Sequence, residues 1–102
     1  MLTLPIKKGW YDLIAGGVKK EEYREIKPYY ETRFKNLFGA MWESGEAPEA
    51  RVIFRNGYSA DAPQLMALCS LRVGEGREEW GAVPGERYYI LEIKEILDAA
   101  KG

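Results

Sequence analysis

The side chains best suited to chemistry are concentrated in one segment, Gly17–Arg24 (GVKKEEYR). The segment reads G-x-K-x-x-E-x-R, so Lys19, Glu22 and Arg24 follow the glycine at fixed spacing. A carboxylate such as that of Glu22 can accept hydrogen bonds from the edge of a nucleobase, while lysine and arginine bind phosphate or carbonyl oxygens. A lysine whose pKa is lowered by a neighbouring arginine can also act as a nucleophile or a base. The segment therefore predicts either a polar binding site or a small catalytic one.

The composition restricts this chemistry. The 102 residues include no histidine, which excludes Ser-His-Asp and Cys-His catalysis and histidine-ligated metals. The single cysteine, Cys69, excludes an intramolecular disulfide and a multi-cysteine zinc site. We therefore predict no metal and no cofactor, and acid–base work is left to carboxylates, lysine, tyrosine or the one thiol. Cys69 lies on the apolar face of its predicted strand, where a buried, inert thiol is expected.

The charge balance bears on the class of partner. Lysine and arginine total 15 and aspartate and glutamate total 16, which gives a net charge of −1. A nearly neutral chain has no strong attraction to a long duplex, so a small ligand or a short single-stranded segment fits better. No apolar run approaches the ~20 residues of a membrane helix, and the first residues lack the pattern of a signal peptide. We therefore predict a cytoplasmic protein with no membrane partner.

Apolar periodicity defines the elements that would position the segment. Leu2, Leu4 and Ile6 alternate with other residues, which predicts a first strand, and Pro5 places that strand at an edge because proline cannot donate to a ladder. The predicted strands are Leu2–Ile6, Arg51–Arg55, Gln64–Val73 and Tyr88–Ile96, the predicted helices are Lys7–Gly16 and Tyr29–Phe38, and Gly39–Ala50 is predicted to be a loop.

The segment Lys19–Ile26 (KKEEYREI) fits two structures. Its lysines and glutamates favour a helix, which would run directly into Pro28. As a strand, it would place Glu22 and Arg24 on one face, two residues apart, with Lys19 in the turn that precedes them. Propensity by itself favours the helix.

The motif and its surroundings resemble the ASCH domain family, a branch of the PUA-like superfamily. The G-x-K-x-x-E-x-R motif follows a strand and a tryptophan-containing helix, and a WGxxPGxxYYxLEI stretch (Trp80–Ile93) closes the chain. The resemblance implies that Lys19–Ile26 is a strand. It also implies a fold, namely a single α+β domain over residues 1–102, built as a small mixed, PUA-like β-barrel of about five strands with short helices packed at its ends.

The same resemblance implies a function. ASCH domains look like readers of RNA or of modified nucleobases, so RNA or a nucleobase or nucleotide is the implied ligand, held in a polar cleft at the barrel mouth. By their positions in the motif, Gly17, Lys19, Glu22 and Arg24 are the implied binding residues. Some relatives are hydrolases, so the alternative is an amidohydrolase acting on a modified nucleoside, or a ribonuclease, with Lys19 and Glu22 as its catalytic residues. The amidohydrolase relatives carry threonine where this chain has Glu22.

Several residues outside the motif are secondary candidates. Arg51, Arg55 and Tyr58 can extend a basic face beside the cleft, and Trp42, in the predicted loop, is the aromatic residue most suited to stacking on a base. The alternative is that Val52 and Phe54 are core residues and the two arginines are solvated partners of glutamates, which is the interpretation we favour. Four lysines are candidates for contacts with a phosphate backbone: Lys7, Lys8, Lys20 and Lys27.

Two further interpretations compete with a ligand site. Glu22 and Arg24 can form a same-face ion pair that merely lines a solvated groove. The chain can also be a protein-interaction adaptor, which would expose an apolar patch around Phe38 and Trp42. Trp10 is expected to pack its helix, and Trp80 to plug one end of the barrel. The sequence assigns no oligomeric state.

Overall fold

One five-stranded sheet organises the structure, a computed structural model that describes residues 2–43 and 48–100, with the backbone alone for residues 40–43 and 99–100. The elements, in chain order, are β1 (Leu2–Ile6), α1 (Lys8–Ala15), β2 (Glu21–Arg24), α2 (Pro28–Glu43), β3 (Glu49–Asn56), β4 (Gln64–Glu75), a short 3-10 helix (Glu78–Trp80) and β5 (Arg87–Ala100). This order confirms the predicted sequence of strands and helices, including the strand within Lys19–Ile26.

The strand order across the sheet is β1-β3-β4-β5-β2. β1 pairs with β3 in parallel, and the remaining neighbours are antiparallel. Pro5 lies in the edge strand β1, as its missing N–H requires. The β4–β5 register shifts between Met66 and Ala67 and again between Leu68 and Cys69, and such irregularities bend the strands that carry them. The sheet accordingly curls into a half-barrel.

The predicted barrel is therefore present as a curled sheet that remains open. β1 and β2 are its two edges, because neither is followed by another strand in the sheet order. A side chain joins them, since Arg24 of β2 donates from Nη2 to the main-chain carbonyl of Pro5 in β1, at 3.0 Å. The open side of the half-barrel is consequently bridged by one of the motif residues.

The core lies between the concave sheet and the two helices, both of which contact β3. Phe34 of α2 is fully buried, and its ring lies 5.2 Å from that of Tyr89 on β5 and 6.3 Å from that of Phe38. Phe38 is therefore a core residue, so it is not part of the exposed apolar patch that the adaptor interpretation would require. The buried apolar side chains of the strands include Leu4, Ile6, Val52, Phe54, Leu65, Ala67, Cys69, Leu71 and Leu91.

The two helices end differently. α1 stops at the predicted Gly16-Gly17 pair, where Gly17 adopts a φ of 78° that glycine tolerates without strain. α2 is kinked at Gly39, where the prediction ended it, and then continues to Glu43. The backbone of Trp42 is therefore helical, which corrects its placement in a loop, and residues 44–47 of that predicted loop lie outside the described residues. Among the described residues, no helix has the length and apolar character needed to cross a membrane.

Replacing Phe34 with alanine tests how α2 is anchored. The substitution removes a fully buried ring from the core, so the free energy of unfolding should fall by about 3–5 kcal/mol. Urea denaturation followed by circular dichroism measures the loss. Val18→Ala is the control, because the Val18 side chain is 59% exposed and its truncation should change little. An equally small effect of Phe34→Ala would contradict the assignment of Phe34 to the core.

Candidate functional site

The three charged residues of the motif form one buried cluster centred on Glu22. Oε1 of Glu22 lies 3.3 Å from the Lys19 ammonium, and Oε2 accepts a 2.8 Å hydrogen bond from Nη2 of Arg24. Lys19 is 1% exposed and Glu22 is 7% exposed. The prediction that Glu22 and Arg24 project to the same side of a strand is confirmed. Each acidic oxygen therefore faces one cation, so the carboxylate is held in a fixed orientation.

The turn after α1 brings Lys19 into the cluster. The backbone N–H groups of Val18 and Lys19 both donate to the carbonyl of Leu13, at 2.9 and 3.0 Å, and the positive φ of Gly17 allows this reversal. Ile93 then donates to the carbonyl of Lys20 at 2.9 Å, which begins the pairing of β2 with β5. Gly17 therefore shapes the turn that positions Lys19. Gly17 itself does not line the cleft described below.

Lys19 is enclosed by aromatic and main-chain groups. Its ammonium donates to the carbonyl of Trp80 and lies 4.6 Å from the ring centroid of Trp10 and 5.1 Å from that of Tyr23. Burial lowers the pKa of Lys19, and the neighbouring Glu22 carboxylate partly offsets this effect. The prediction that Lys19 reaches into a cleft needs refinement, because Lys19 lies behind Glu22 and outside the cleft lining.

Arg24 connects the cluster to the edge of the sheet and to α2. Besides its bonds to Glu22 and Pro5, Nη1 donates to the Tyr30 hydroxyl at 3.3 Å, and the guanidinium lies 5.7 Å from the Tyr30 ring. Burial alone would lower the pKa of Arg24, but Glu22 and Tyr30 outweigh it and the pKa lies above its ordinary value. Nε of Arg24 is buried and has no hydrogen-bond partner among the described residues.

A cleft of about 510 Å³ opens over Glu22 and Arg24. Its volume falls within the roughly 300–1,000 Å³ typical of small-molecule sites. Polar atoms of the two motif residues meet an aromatic wall there, which suits a flat ligand that carries hydrogen-bond donors. The aromatic lining residues are Trp10, Tyr23, Tyr30, Tyr58, Trp80 and Tyr88, and the charged ones besides Glu22 and Arg24 are Lys7, Lys8 and Glu25.

The secondary candidates divide between the cleft and other surfaces. Tyr58 lines the cleft and is 90% exposed. Arg51 and Arg55 lie in β3 on either side of the core residues Val52 and Phe54, so by strand alternation they face away from the core, and neither lines the cleft. Arg55 instead contacts Oε1 of Gln64 at 3.3 Å.

The four lysines predicted to contact a phosphate backbone are divided between the cleft and the rest of the surface. Lys7 and Lys8 lie at the cleft, whereas Lys20 and Lys27 are exposed residues outside its lining. The side chain of Trp42 lies outside the described part of the chain, so its proposed stacking role stays a prediction.

Sequence reasoning missed most of the aromatic wall. Trp10, expected to pack its helix, instead covers the Lys19 ammonium and lines the cleft. Gly81, with a φ of 100°, lies against the Trp10 ring: a Cβ at this position would be 3.1 Å from Trp10. The sequence signal for this contact was the glycine of the Trp80-Gly81 pair, because a glycine can mark a point where the backbone closely approaches a large ring. Tyr30 and Tyr88 gave no comparable signal, since their contribution depends on which way α2 and β5 face.

Cys69 does not line the cleft, and its chemistry can be considered separately. Cys69 is fully buried in β4, as predicted, and burial raises the pKa of its thiol to about 12. A thiol that stays protonated at neutral pH is a poor nucleophile and a poor metal ligand. Among the described residues, no group of three or more cysteine, aspartate or glutamate side chains is arranged to hold a metal ion.

Comparison with known proteins identifies no relative of this chain. No protein-family model matches the chain, and neither a curated protein nor a solved structure matches it. The resemblance of the Gly17–Arg24 segment to ASCH domains therefore stays a prediction. Function has to be inferred from what the cleft can bind.

The buried cluster predicts strong energetic coupling between Lys19 and Glu22. Lys19→Met takes one of the two cations from the buried Glu22 carboxylate, and Glu22→Gln takes the carboxylate from the buried Lys19 ammonium, so each should lower the free energy of unfolding by about 3 kcal/mol. The loss measured for the double variant should be smaller than the sum of the two single losses by at least about 1 kcal/mol. Urea denaturation of the four proteins measures the coupling.

The exposed pair Glu31–Lys35, whose charged atoms lie 3.1 Å apart on α2, is the control for this cycle. Solvent screens such a pair, so the corresponding Glu31→Gln and Lys35→Met losses should be small and additive. Additive losses at Lys19 and Glu22 would show that the ammonium does not depend on this carboxylate.

Cys69 predicts a loss of stability in alkali. The unfolded chain releases the thiol proton near pH 8.5, whereas the native state holds it up to about pH 12. Between these values the unfolded state binds fewer protons, so the stability of the wild type should fall relative to that of Cys69→Ala by about 1.4 kcal/mol per pH unit. Urea denaturation of both proteins at pH 7.5, 9 and 10 measures the difference. A difference that stays constant with pH would contradict the buried, protonated thiol.

Proposed function

We propose that this chain is an ASCH-type, PUA-like domain that recognises RNA in the cytoplasm by holding a nucleobase or nucleotide in the cleft. The observation that carries the proposal is the Glu22 carboxylate, which is buried in the cleft wall and oriented by two cations. A carboxylate fixed in this way is an acceptor prepared for a ligand that brings N–H donors. The aromatic wall beside it offers faces on which a flat ring can stack.

The charge of Glu22 selects among possible ligands. Lys19 lies behind the carboxylate and Arg24 lies beside it, and both cations are paired with it, so a ligand placed over Glu22 meets acceptor oxygens. Guanine, cytosine and adenine present exocyclic amino groups on their Watson–Crick edges, and each can donate to such an acceptor. A simple anion placed directly over Glu22 would instead be repelled by its carboxylate. A base edge is therefore the better match to the wall of the cleft.

The rim of the cleft suits the phosphate of a nucleotide. Lys7 and Lys8 line the cleft and are exposed, although Lys8 also pairs with Asp12 at 2.6 Å. Exposed lysines at a rim attract phosphate without fixing its geometry, because the ammonium is a flexible point charge. A nucleotide with its base directed into the cleft and its phosphate directed toward the rim would contact both Glu22 and the two lysines.

The hydrolase alternative depends on Lys19. Burial lowers the pKa of Lys19, which favours the neutral amine that a nucleophile or base requires. The ammonium is, however, enclosed by Trp80, Trp10 and Glu22 and lies outside the cleft lining. A catalytic role would require the side chain to leave the Trp80 carbonyl and enter the cleft. The geometry therefore supports recognition better than hydrolysis.

Calorimetric titration with the four common ribonucleosides and a short single-stranded RNA tests the proposal. We expect saturable binding that Glu22→Gln weakens by at least tenfold, because a charge-assisted hydrogen bond contributes about 1.5–3 kcal/mol. Glu92→Gln is the matched control. Glu92 also lies between two cations, Lys94 at 2.7 Å and Arg72 at 3.4 Å, but not at the cleft, so its change should leave the affinity unaltered.

Circular dichroism must first establish that each variant is folded at the temperature of the titration. If neither nucleosides nor RNA bind the folded wild type, or if Glu22→Gln binds as tightly as the wild type, the proposal fails. Chromatography of the same mixtures, with an acylated cytidine added, detects turnover. Turnover that Lys19→Met abolishes would favour the hydrolase alternative instead.

A further inference from the structure

A second groove lies next to the cleft. It has a volume of about 530 Å³ and is formed by β1, the start of α2 and the residue Tyr58. Four residues line both the groove and the cleft, so the two depressions adjoin each other. The shared residues are Pro5, Arg24, Tyr30 and Tyr58.

The electrostatic character of this groove differs from that of the cleft. Its described lining includes the cations Arg24, Lys27 and Arg33 and no carboxylate, whereas the cleft contains Glu22 and Glu25. Lys27 lies 3.8 Å from Glu25, a long contact between two exposed side chains that leaves the ammonium available to a ligand. A groove whose described charged residues are all cations attracts an anion more strongly than the cleft does, where two glutamates offset part of the positive charge of Lys7, Lys8 and Arg24.

Arg33 and Tyr29 form a prepared surface in the groove. The Arg33 guanidinium lies 3.5 Å from the Tyr29 ring centroid and donates from Nη1 to the Tyr29 carbonyl at 3.0 Å. The stacked pair holds the guanidinium in place while leaving its other N–H groups free for a phosphate. Tyr29 is itself half exposed, so a base can also lie against this surface.

We propose that the ligand is a single-stranded RNA segment of at least two nucleotides rather than a free nucleoside. This inference rests on the proposed function. One base lies in the cleft beside Glu22. The adjoining phosphate lies in the second groove against Lys27 and Arg33, and the neighbouring base lies on the Tyr29 surface. The RNA strand crosses from one depression to the other past Tyr58, the most exposed large hydrophobic side chain in the described part of the protein.

A single strand fits this arrangement and a duplex does not. The Watson–Crick edge of a paired base is occupied by its partner, so it cannot donate to Glu22 in the wall of the cleft. Tyr30 and Tyr58 also stand between the two depressions, so neighbouring bases must separate to occupy both. Single-stranded RNA can splay its bases in this way, and aromatic side chains then replace the lost stacking.

Calorimetry with a nucleoside, its 5′-monophosphate, the dinucleotide of the same base and a six-nucleotide single strand tests the inference. The nucleoside is the tightest binder found for the cleft. We expect the dinucleotide to bind at least tenfold more tightly than the nucleoside. Its affinity should also fall with salt, with a slope of about −0.7 in log K against log salt for each phosphate neutralised.

Arg33→Ala isolates the second groove. We expect it to reduce the ratio of dinucleotide affinity to nucleoside affinity by about fivefold and to lower the salt slope of the hexanucleotide by about 0.7. Lys35→Ala is the matched control, because it removes one positive charge from the same helix at an exposed residue that lines neither depression. It should leave that ratio unchanged. Thermal unfolding confirms that both variants remain folded.

The outcomes separate this inference from the proposed function. If the nucleoside binds the wild type but the dinucleotide binds no more tightly, or if Arg33→Ala and Lys35→Ala behave alike, the inference is wrong while the proposed function stands. If no nucleoside or RNA binds, both fail together. Three further results would overturn the inference. The first is equal affinity for the hexanucleotide and for its duplex, and the second is tighter binding of the DNA hexanucleotide of the same sequence. The third is displacement of the RNA by an equimolar acidic peptide.

Discussion

The structure depends on one buried carboxylate and the two cations that hold it. An unpaired charge in a protein interior costs several kcal/mol, so Glu22 can stay buried only if Lys19 and Arg24 remain beside it. This requirement ties together parts of the chain that hydrophobic packing alone would leave independent. Lys19 anchors the turn after α1 and, through the Trp80 carbonyl, the short 3-10 helix before β5. Arg24 anchors the free edge of β1 through Pro5.

Arg24 also explains why an open half-barrel can present a formed site. The edges β1 and β2 share no ladder in the sheet order, yet one guanidinium joins the Pro5 carbonyl, the Glu22 carboxylate and the Tyr30 hydroxyl. The cleft and the second groove meet at this bridge. The side chain that bridges the two edges of the sheet therefore also lies between a depression that contains carboxylates and one whose described charged residues are all cations. The same contacts that stabilise the fold thus help to set the charge distribution of the cleft and the second groove.

The sequence carried much of the local structure because local structure follows from periodicity. Apolar patterning placed four of the five strands in their observed chain order, Gly16-Gly17 ended α1, and Pro5 indicated an edge strand. Lys19–Ile26 was different, since its lysines and glutamates favour a helix. The strand forms there because pairing with β5, together with the ion pairs of Glu22, outweighs a propensity of a few tenths of a kcal/mol per residue.

The sequence by itself determined the chemistry available to this protein: no histidine, one cysteine, and a lysine, a glutamate and an arginine at spacings that converge once β2 is a strand. Only the tertiary structure decided that Lys19 lies behind Glu22 while Glu22 and Arg24 line the cleft. It also decided that Trp10 covers the ammonium and that β1, α2 and Tyr58 enclose a second groove. The physical reason is that these contacts join residues far apart in the chain. Their positions follow from the curl of the sheet and the packing of the helices, which no local pattern encodes.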